Sequence, residues 1–140
     1  MDFFDELCVK NVQRCEDKQG FDHGLAKWSI AEWTNAMAGE CGEACNVAKK
    51  LIRIRDGVPG NKKSREEYTA DLAQEISDTV IYAVLAAAAA GIDLRAAIIK
   101  TFNDKSDDVG SAIKLIGRRT TDYTSSEAKE DRHADLMRGY

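Results

Sequence analysis

The fold is best predicted from residues 29–55, which read SIAEWTNAMAGECGEACNVAKKLIRIR. This stretch opens with Ser29 and Glu32, a capping pair in which each side chain satisfies a backbone N–H group that is otherwise free at a helix start. Apolar residues then recur at spacings of three and four, namely Ile30, Trp33, Met37, Cys41, Ala44, Ala48, Leu51 and Ile54. The sequence therefore predicts one long helix with an apolar face, which ends near Arg55 before a segment that contains Pro59.

Three further helices are predicted on similar grounds. Ser64 and Glu67 form a second capping pair, and the helix that they open is expected to end at Gly91. Helices over about 3–17 and 94–107 complete the set. The last helix is expected to turn these apolar residues inward: Leu94, Ala97, Ile98 and Phe102.

The predicted fold class is all-α. Proline occurs once, and strand-like alternation of β-branched and polar residues is absent through most of the chain. We expect a four-helix bundle-like domain over 1–117, followed by a polar arm over 118–140 with at most one short helix. Five consecutive alanines at 86–90 favour a close approach of a neighbouring helix, including one from a second copy of the chain.

Charge and hydropathy exclude several classes of protein. A net charge of −4 argues against a surface that binds nucleic acid polymers by bulk attraction. Residues 1–6 have no basic stretch, which predicts no signal peptide. The uncharged stretch that contains 79–91 is shorter than the roughly 18 apolar residues that a membrane-spanning helix needs. We therefore expect a soluble, cytoplasmic protein whose four cysteines are reduced, with zinc disfavoured because no pair has the C-x-x-C spacing.

Two pairs of acids are the candidates for chemistry. Glu40 and Glu43 lie on the long helix, and Glu75 and Asp78 lie on the next one. A spacing of three places both carboxylates of a pair on one face of a helix. Glu40 follows Trp33 by seven residues and so shares the azimuth of the apolar face.

Clustered carboxylates on an apolar face need compensation, because burying an unpaired charge costs several kcal/mol, roughly. A divalent cation supplies it. Since oxygen donors dominate and no histidine lies on these two helices, the predicted ion is Mg²⁺, with Mn²⁺ as a substitute. The competing interpretation is that all four acids are solvated surface residues.

Neighbouring residues favour a bound polyphosphate. Gly39 and Gly42 each cost the helix about 1 kcal/mol relative to alanine, which a close approach of backbone, metal or phosphate would offset; tight helix packing is the alternative. Lys50 shares the face of Glu43 and lies in a basic segment over 49–65. Cations beside a metal site are typical of phosphate binding, although cations also complement the dipole at a helix end.

These residues resemble the MazG-like all-α nucleoside triphosphate pyrophosphohydrolase superfamily, whose mark is E-x-x-E, a spacer, then E-x-x-D on two helices. Here the mark is Glu40, Glu43, Glu75 and Asp78, within a resemblance that spans about 28–110. It implies hydrolysis of (d)NTP to (d)NMP and pyrophosphate, with Mg²⁺ held by the four acids as catalytic residues. It also implies a homodimer or homotetramer whose helices are swapped or packed across the interface.

Substrate contacts follow from the same resemblance and from the residue types. Lys50, Asn103 and Lys105 are the candidates for binding the phosphates, and Trp28 or Trp33 for stacking on the base. Trp33 also fits core packing, and Trp28 fits a hydrophobic contact at the helix start. Many members have a glutamate where this chain has Gly39, which leaves the general base open. The 31-residue spacer between the motifs is long, which suggests a longer basic loop over the substrate.

Two other classes compete with the hydrolase. A di-iron carboxylate bundle needs E-x-x-H on two helices, whereas the chain offers one instance, Glu130 and His133, in the polar arm. A non-catalytic helical oligomer that acts as a scaffold would need no metal. Base and sugar preference cannot be read from the motif; deoxynucleotides, including a purine such as dGTP, are the family-level expectation.

Overall fold

A computed structural model describes residues 2–117, and in that range the chain is helical throughout its regular structure. The helices are α1 (Phe3–Glu16), α2 (Ile30–Arg55), α3 (Arg65–Ala89) and α4 (Leu94–Asp108), with a short 3₁₀ turn at Leu25–Lys27. The predicted all-α class is confirmed. The predicted arm over 118–140, with Glu130 and His133, lies outside the described residues.

Local capping sets the starts of the two long helices. The Ser29 side chain accepts the Glu32 N–H, and the Glu32 carboxylate accepts the Ser29 N–H at 2.7 Å. Ser64 and Glu67 repeat this arrangement at the start of α3. Both predicted capping pairs are confirmed, and Gly91 follows α3 with the positive φ of +67° that glycine adopts without strain.

The chain divides into two compact units, and residues 8–94 form the larger one. Within it α2 packs against α3, and a core of Cys15, Trp33, Leu85 and Ala86 lies beside them. The Trp33 side chain is 3% exposed, and its indole N–H donates to the Leu25 carbonyl at 3.0 Å. This bond ties the 3₁₀ turn to α2.

Among the described residues, the smaller unit joins residues 2–7 to residues 95–117. The Arg95 guanidinium pairs with the carboxylates of Asp2 and Asp5 and lies 5.6 Å from the Phe4 ring centroid. Hydrogen bonding from the Asp5 N–H, together with Arg95, lowers the pKa of Asp2. These contacts tie the start of α1 to the start of α4.

Helix α4 departs from the predicted pattern. Ile98 and Phe102, expected to face inward, are each 42% exposed. The Asn103 side chain donates to the Leu115 carbonyl at 3.0 Å and accepts the Leu115 N–H at 2.8 Å, so it holds the segment after α4. The prediction that these two side chains face inward was therefore wrong for residues 2–117, since each side chain is more than one-third exposed.

Helix α3 leaves much of its apolar surface open. By length and composition alone it could cross a membrane, although a core helix passes the same test, and only 22% of its most apolar 18-residue window is buried. Ile76 and Val80 are 52% and 43% exposed. The same helix carries the predicted ligands Glu75 and Asp78.

Candidate metal and nucleotide site

Packing of α2 on α3 brings three of the four predicted acids together. Carboxylate oxygens of Glu40, Glu43 and Glu75 all lie within 4.8 Å of one another. Glu40 and Glu75 are half-buried, whereas Glu43 is exposed. Both acids of α2 and one acid of α3 therefore meet, whereas Asp78 does not belong to this group.

Asp78 lies outside that group of three but acts on it electrostatically. Desolvation raises the pKa of Glu40, and the charges of Glu43, Asp78 and Glu75 raise it further. Desolvation and the charges of Glu43, Asp78 and Asp71 likewise raise the pKa of Glu75, partly offset by Lys50. Four carboxylates that repel one another in this way form a favourable place for a cation.

The donor chemistry fits a hard divalent ion. Each of the three clustered side chains offers a carboxylate oxygen, the ligand type that Mg²⁺ and Mn²⁺ prefer. The free thiols of Cys41 and Cys45 lie on α2 beside this motif, but both belong to the exposed surface and neither is among the clustered ligands. The cluster therefore suits magnesium better than zinc.

A cavity of about 390 Å³ adjoins the acids, within the size range of small-molecule sites. Glu40 and Asp78, one acid from each helix, belong to its wall. The remaining wall is largely aromatic and aliphatic, with one arginine and one histidine: Arg14, Cys15, Phe21, His23, Trp28, Trp33, Ile81, Tyr82 and Leu85. A largely apolar cavity thus lies next to the cluster of acidic side chains.

Both tryptophans line this cavity, but their surroundings differ. Their ring centroids lie 4.6 Å apart, and the His23 ring stands edge-on 4.9 Å from Trp28 and 5.5 Å from Trp33. Trp33 is buried in the core, whereas Trp28 is half-buried. His23 Nδ1 is buried without a hydrogen-bond partner among the described residues, which marks a polar position in an otherwise apolar wall.

The predicted phosphate-binding residues fall in different units. Lys50 lies near the acids, since its charge lowers the pKa of Glu75, and its ammonium lies 5.5 Å from the Tyr68 ring centroid. Asn103 and Lys105 are on α4 in the smaller unit, where Lys105 is exposed and Asn103 is bonded to Leu115. Their role toward a substrate stays a prediction.

Several cations of the basic segment over 49–65 bind groups of the segment itself or of the start of α3. Arg53 donates to the Pro59 carbonyl at 3.0 Å, and Arg55 pairs with Asp56 at 2.7 Å. Lys63 pairs with Asp71 at 2.6 Å, and this hydrogen bond raises the pKa of the lysine. Lys50 is therefore the basic residue of this segment whose charge the structure links to the acid cluster.

Helix packing does not explain Gly39 and Gly42. A Cβ atom placed at either position would meet nothing within 4 Å among the described residues. The alternative explanation, tight helix packing, is therefore not met within residues 2–117, and the approach of a metal or phosphate to these glycines stays a prediction. Gly20, by contrast, precedes Phe21 and His23 of the cavity wall, and a Cβ there would collide with the backbone carbonyl of Arg14.

Alanine substitutions at two glycines should therefore have opposite effects on stability. We expect Gly42→Ala to raise the free energy of unfolding by about 1 kcal/mol, through helix propensity. Gly20→Ala should lower it by about 1–3 kcal/mol, because the backbone must move to remove the collision. Urea denaturation of the metal-free proteins measures both, and a loss of stability in Gly42→Ala would contradict the open position of this residue.

Metal binding should stabilise the fold in a pH-dependent way. Folding raises the pKa values of Glu40 and Glu75 above the ordinary 4.5. In the metal-free protein, the contribution of these two groups to stability is therefore full below pH 4.5 and is lost as the pH rises through their raised pKa values. We expect Mg²⁺ to raise the melting temperature most at neutral pH and less as the pH falls toward the raised pKa values of Glu40 and Glu75, where protons compete for the same oxygens.

The control is Glu75→Gln, which removes one charge at nearly constant shape. It should melt higher than the parent protein at neutral pH without metal and respond less to Mg²⁺. Equal Mg²⁺ responses of the two proteins would remove Glu75 from the cation site.

Comparisons of the chain with protein-family models, with curated proteins and with solved structures found no match. The resemblance to the MazG-like superfamily therefore rests on the residues of the chain itself. Those residues are the two acid pairs on α2 and α3.

Proposed function

We propose that the chain is a Mg²⁺-dependent nucleoside triphosphate pyrophosphohydrolase of the MazG-like all-α type, which hydrolyses a (d)NTP to (d)NMP and pyrophosphate. The observation that supports this proposal is the juxtaposition of a largely apolar cavity with the acid cluster. Glu40 and Asp78 belong to the cavity wall, and Glu40 also clusters with Glu43 and Glu75, whose charges raise its pKa. A nucleotide needs such a pair of neighbouring environments, one for the base and one for the charged phosphates.

Each group of residues has a role in this proposal. Glu40, Glu43, Glu75 and Asp78 hold the cation, and Lys50 attracts phosphate oxygens. Bound Mg²⁺ neutralises phosphate charge and lowers the pKa of a coordinated water. Trp28 and the neighbouring aromatic wall hold the base, which keeps the α-phosphorus in a fixed position for in-line attack by water.

We further propose that the active form is a homodimer or homotetramer in the cytoplasm. The exposed apolar side chains of α3, including Ile76 and Val80, support an additional partner for this helix. A second copy suits this face better than a bilayer, because Glu75 and Asp78 on the same helix would be costly in lipid. A MazG-like arrangement, with helices packed across the subunit interface, would cover it.

The test is release of pyrophosphate from a panel of ribo- and deoxynucleoside triphosphates with Mg²⁺, with chelator as the control. We expect monophosphate and pyrophosphate in equal amounts from at least one nucleotide, and neither product with chelator. Release of inorganic phosphate first would indicate attack at the γ-phosphorus and would overturn the proposed reaction. An inactive protein across the whole panel would instead favour a non-catalytic scaffold.

A further inference from the structure

Arg14 is the only arginine or lysine among the described residues that line the cavity. It lies in the last turn of α1, far in sequence from the acid pairs, and the proposed function gives it no role. Its neighbours in the wall include Phe21, Trp28 and Trp33. Arg14 is an exposed residue at the open side of this cavity, so its remaining hydrogen-bond donors are accessible both to water and to a ligand that enters the cavity.

The guanidinium is held on two sides. One N–H donates from Nη2 to the side-chain oxygen of Asn11 at 2.9 Å, and Cζ lies 5.3 Å from the Phe21 ring centroid. Asn11 is itself 3% exposed and donates to the Ile81 carbonyl of α3 at 2.8 Å. The support of Arg14 is therefore fixed from both α1 and α3.

Most of its hydrogen-bonding capacity is left over. A guanidinium has five N–H donors, and Asn11 takes one of them. Among residues 2–117, no carboxylate lies within ion-pair distance of Arg14. A rigid, planar group with spare donors matches a ligand edge that presents two neighbouring acceptors.

Among nucleobases, guanine and hypoxanthine present such an edge through O6 and N7. Adenine places an amino donor beside N7 and so opposes the same group. We propose that Arg14 is a specificity-determining residue that binds O6 and N7 of a 6-oxopurine. This inference rests on the proposed function and makes guanine or hypoxanthine nucleotides the substrate class.

The test compares dGTP, 7-deaza-dGTP and dATP, which differ in the acceptors offered to Arg14. For the parent protein we expect kcat/KM for dGTP to exceed that for the other two by about 10- to 100-fold. In Arg14→Ala, the dGTP value should fall to the level of the other two, whose own values change little. Arg14→Lys, which keeps the charge but loses the planar fork, should also lose the preference and serves where the alanine variant does not fold.

Two outcomes overturn the inference while the hydrolase remains. An equal loss for all three nucleotides in the Arg14 variants would place the guanidinium on the phosphates. An unchanged preference in folded variants would place it away from the ligand.

A binding measurement separates this inference from the hydrolase itself. Calorimetry with dGMP and dAMP should show the same guanine preference in the parent protein and its loss in Arg14→Lys, whether or not turnover occurs. Selective dGMP binding without pyrophosphate release from any triphosphate would refute the reaction but keep the role of Arg14. Equal affinity for dGMP and dAMP in the parent protein would refute the role of Arg14.

Discussion

Asp78→Asn should reduce pyrophosphate release by about 10²- to 10³-fold or more, because it removes an anionic group that acts on the charged reaction centre. The same substitution should raise the melting temperature of the metal-free protein at neutral pH. The charge of Asp78 raises the pKa values of both Glu40 and Glu75, so its removal relieves the repulsion that Asp78 exerts on each of these carboxylates. Activity and stability then change in opposite directions, which is the signature of an acid kept for function.

Asp71→Asn is the matched control. Asp71 also raises the pKa of Glu75, but its carboxylate pairs with Lys63 and lies outside the cavity wall. We expect near-normal turnover from this variant. Steady-state kinetics and thermal melting of the two proteins make the comparison, and an active Asp78→Asn enzyme would remove Asp78 from the site.

Trp33→Ala should have the largest effect on folding, a loss of about 3–5 kcal/mol in the free energy of unfolding. The indole is 3% exposed, contacts the core beside Cys15 and Leu85, and holds the 3₁₀ turn through the Leu25 carbonyl. Its loss would open a cavity and would leave the Leu25 carbonyl without this hydrogen-bond donor. Trp33→Phe should lose less, because it keeps most of the apolar contact.

Trp28→Ala provides the contrast. Trp28 is half-buried in the same cavity wall, so its removal should cost less stability than the loss of Trp33 and should weaken nucleotide binding more than folding. Urea denaturation and the KM for the best substrate measure the two effects. The reverse order, with Trp28 the larger stabiliser, would contradict the division between core and ligand wall.

The sequence predicts features of this protein that depend on nearby residues. The capping pairs at Ser29 and Ser64 fix the starts of α2 and α3, because both partners lie within one turn. The two acids of each pair share a face for the same reason. The meeting of Glu40 and Glu43 with Glu75 depends in addition on the packing of α2 on α3, which joins residues distant in sequence and cannot be predicted from local spacing.

The cavity wall could not be predicted in this way. Phe21 and His23 enter it through the turn after α1, where the His23 N–H donates to the Cys15 carbonyl and the Cys15 thiol donates to the His23 carbonyl. Arg14 enters through Asn11, which reaches α3 across 70 residues. No periodicity or short motif marks such residues before the helices pack.

The two glycines of α2 illustrate a different limit of the sequence pattern. Gly39 and Gly42 predicted a close approach of backbone, metal or phosphate, or tight helix packing, and their surroundings within the described residues are open. The sequence shows that a helix carries glycine at a position, but it does not predict which atoms surround that position. The same limit applies to Ile98 and Phe102 of α4, which are exposed. An apolar face predicts that a helix is buried but does not identify the surface that buries it.

Anomalous X-ray diffraction from crystals grown with Mn²⁺ and a slowly hydrolysed nucleotide tests the central claim most directly. We predict a manganese peak coordinated by carboxylate oxygens of Glu40, Glu43 and Glu75, with Asp78 beside it and the base inside the cavity lined by Trp28. Manganese bound elsewhere, with these carboxylates turned toward solvent, would contradict the proposed cation site.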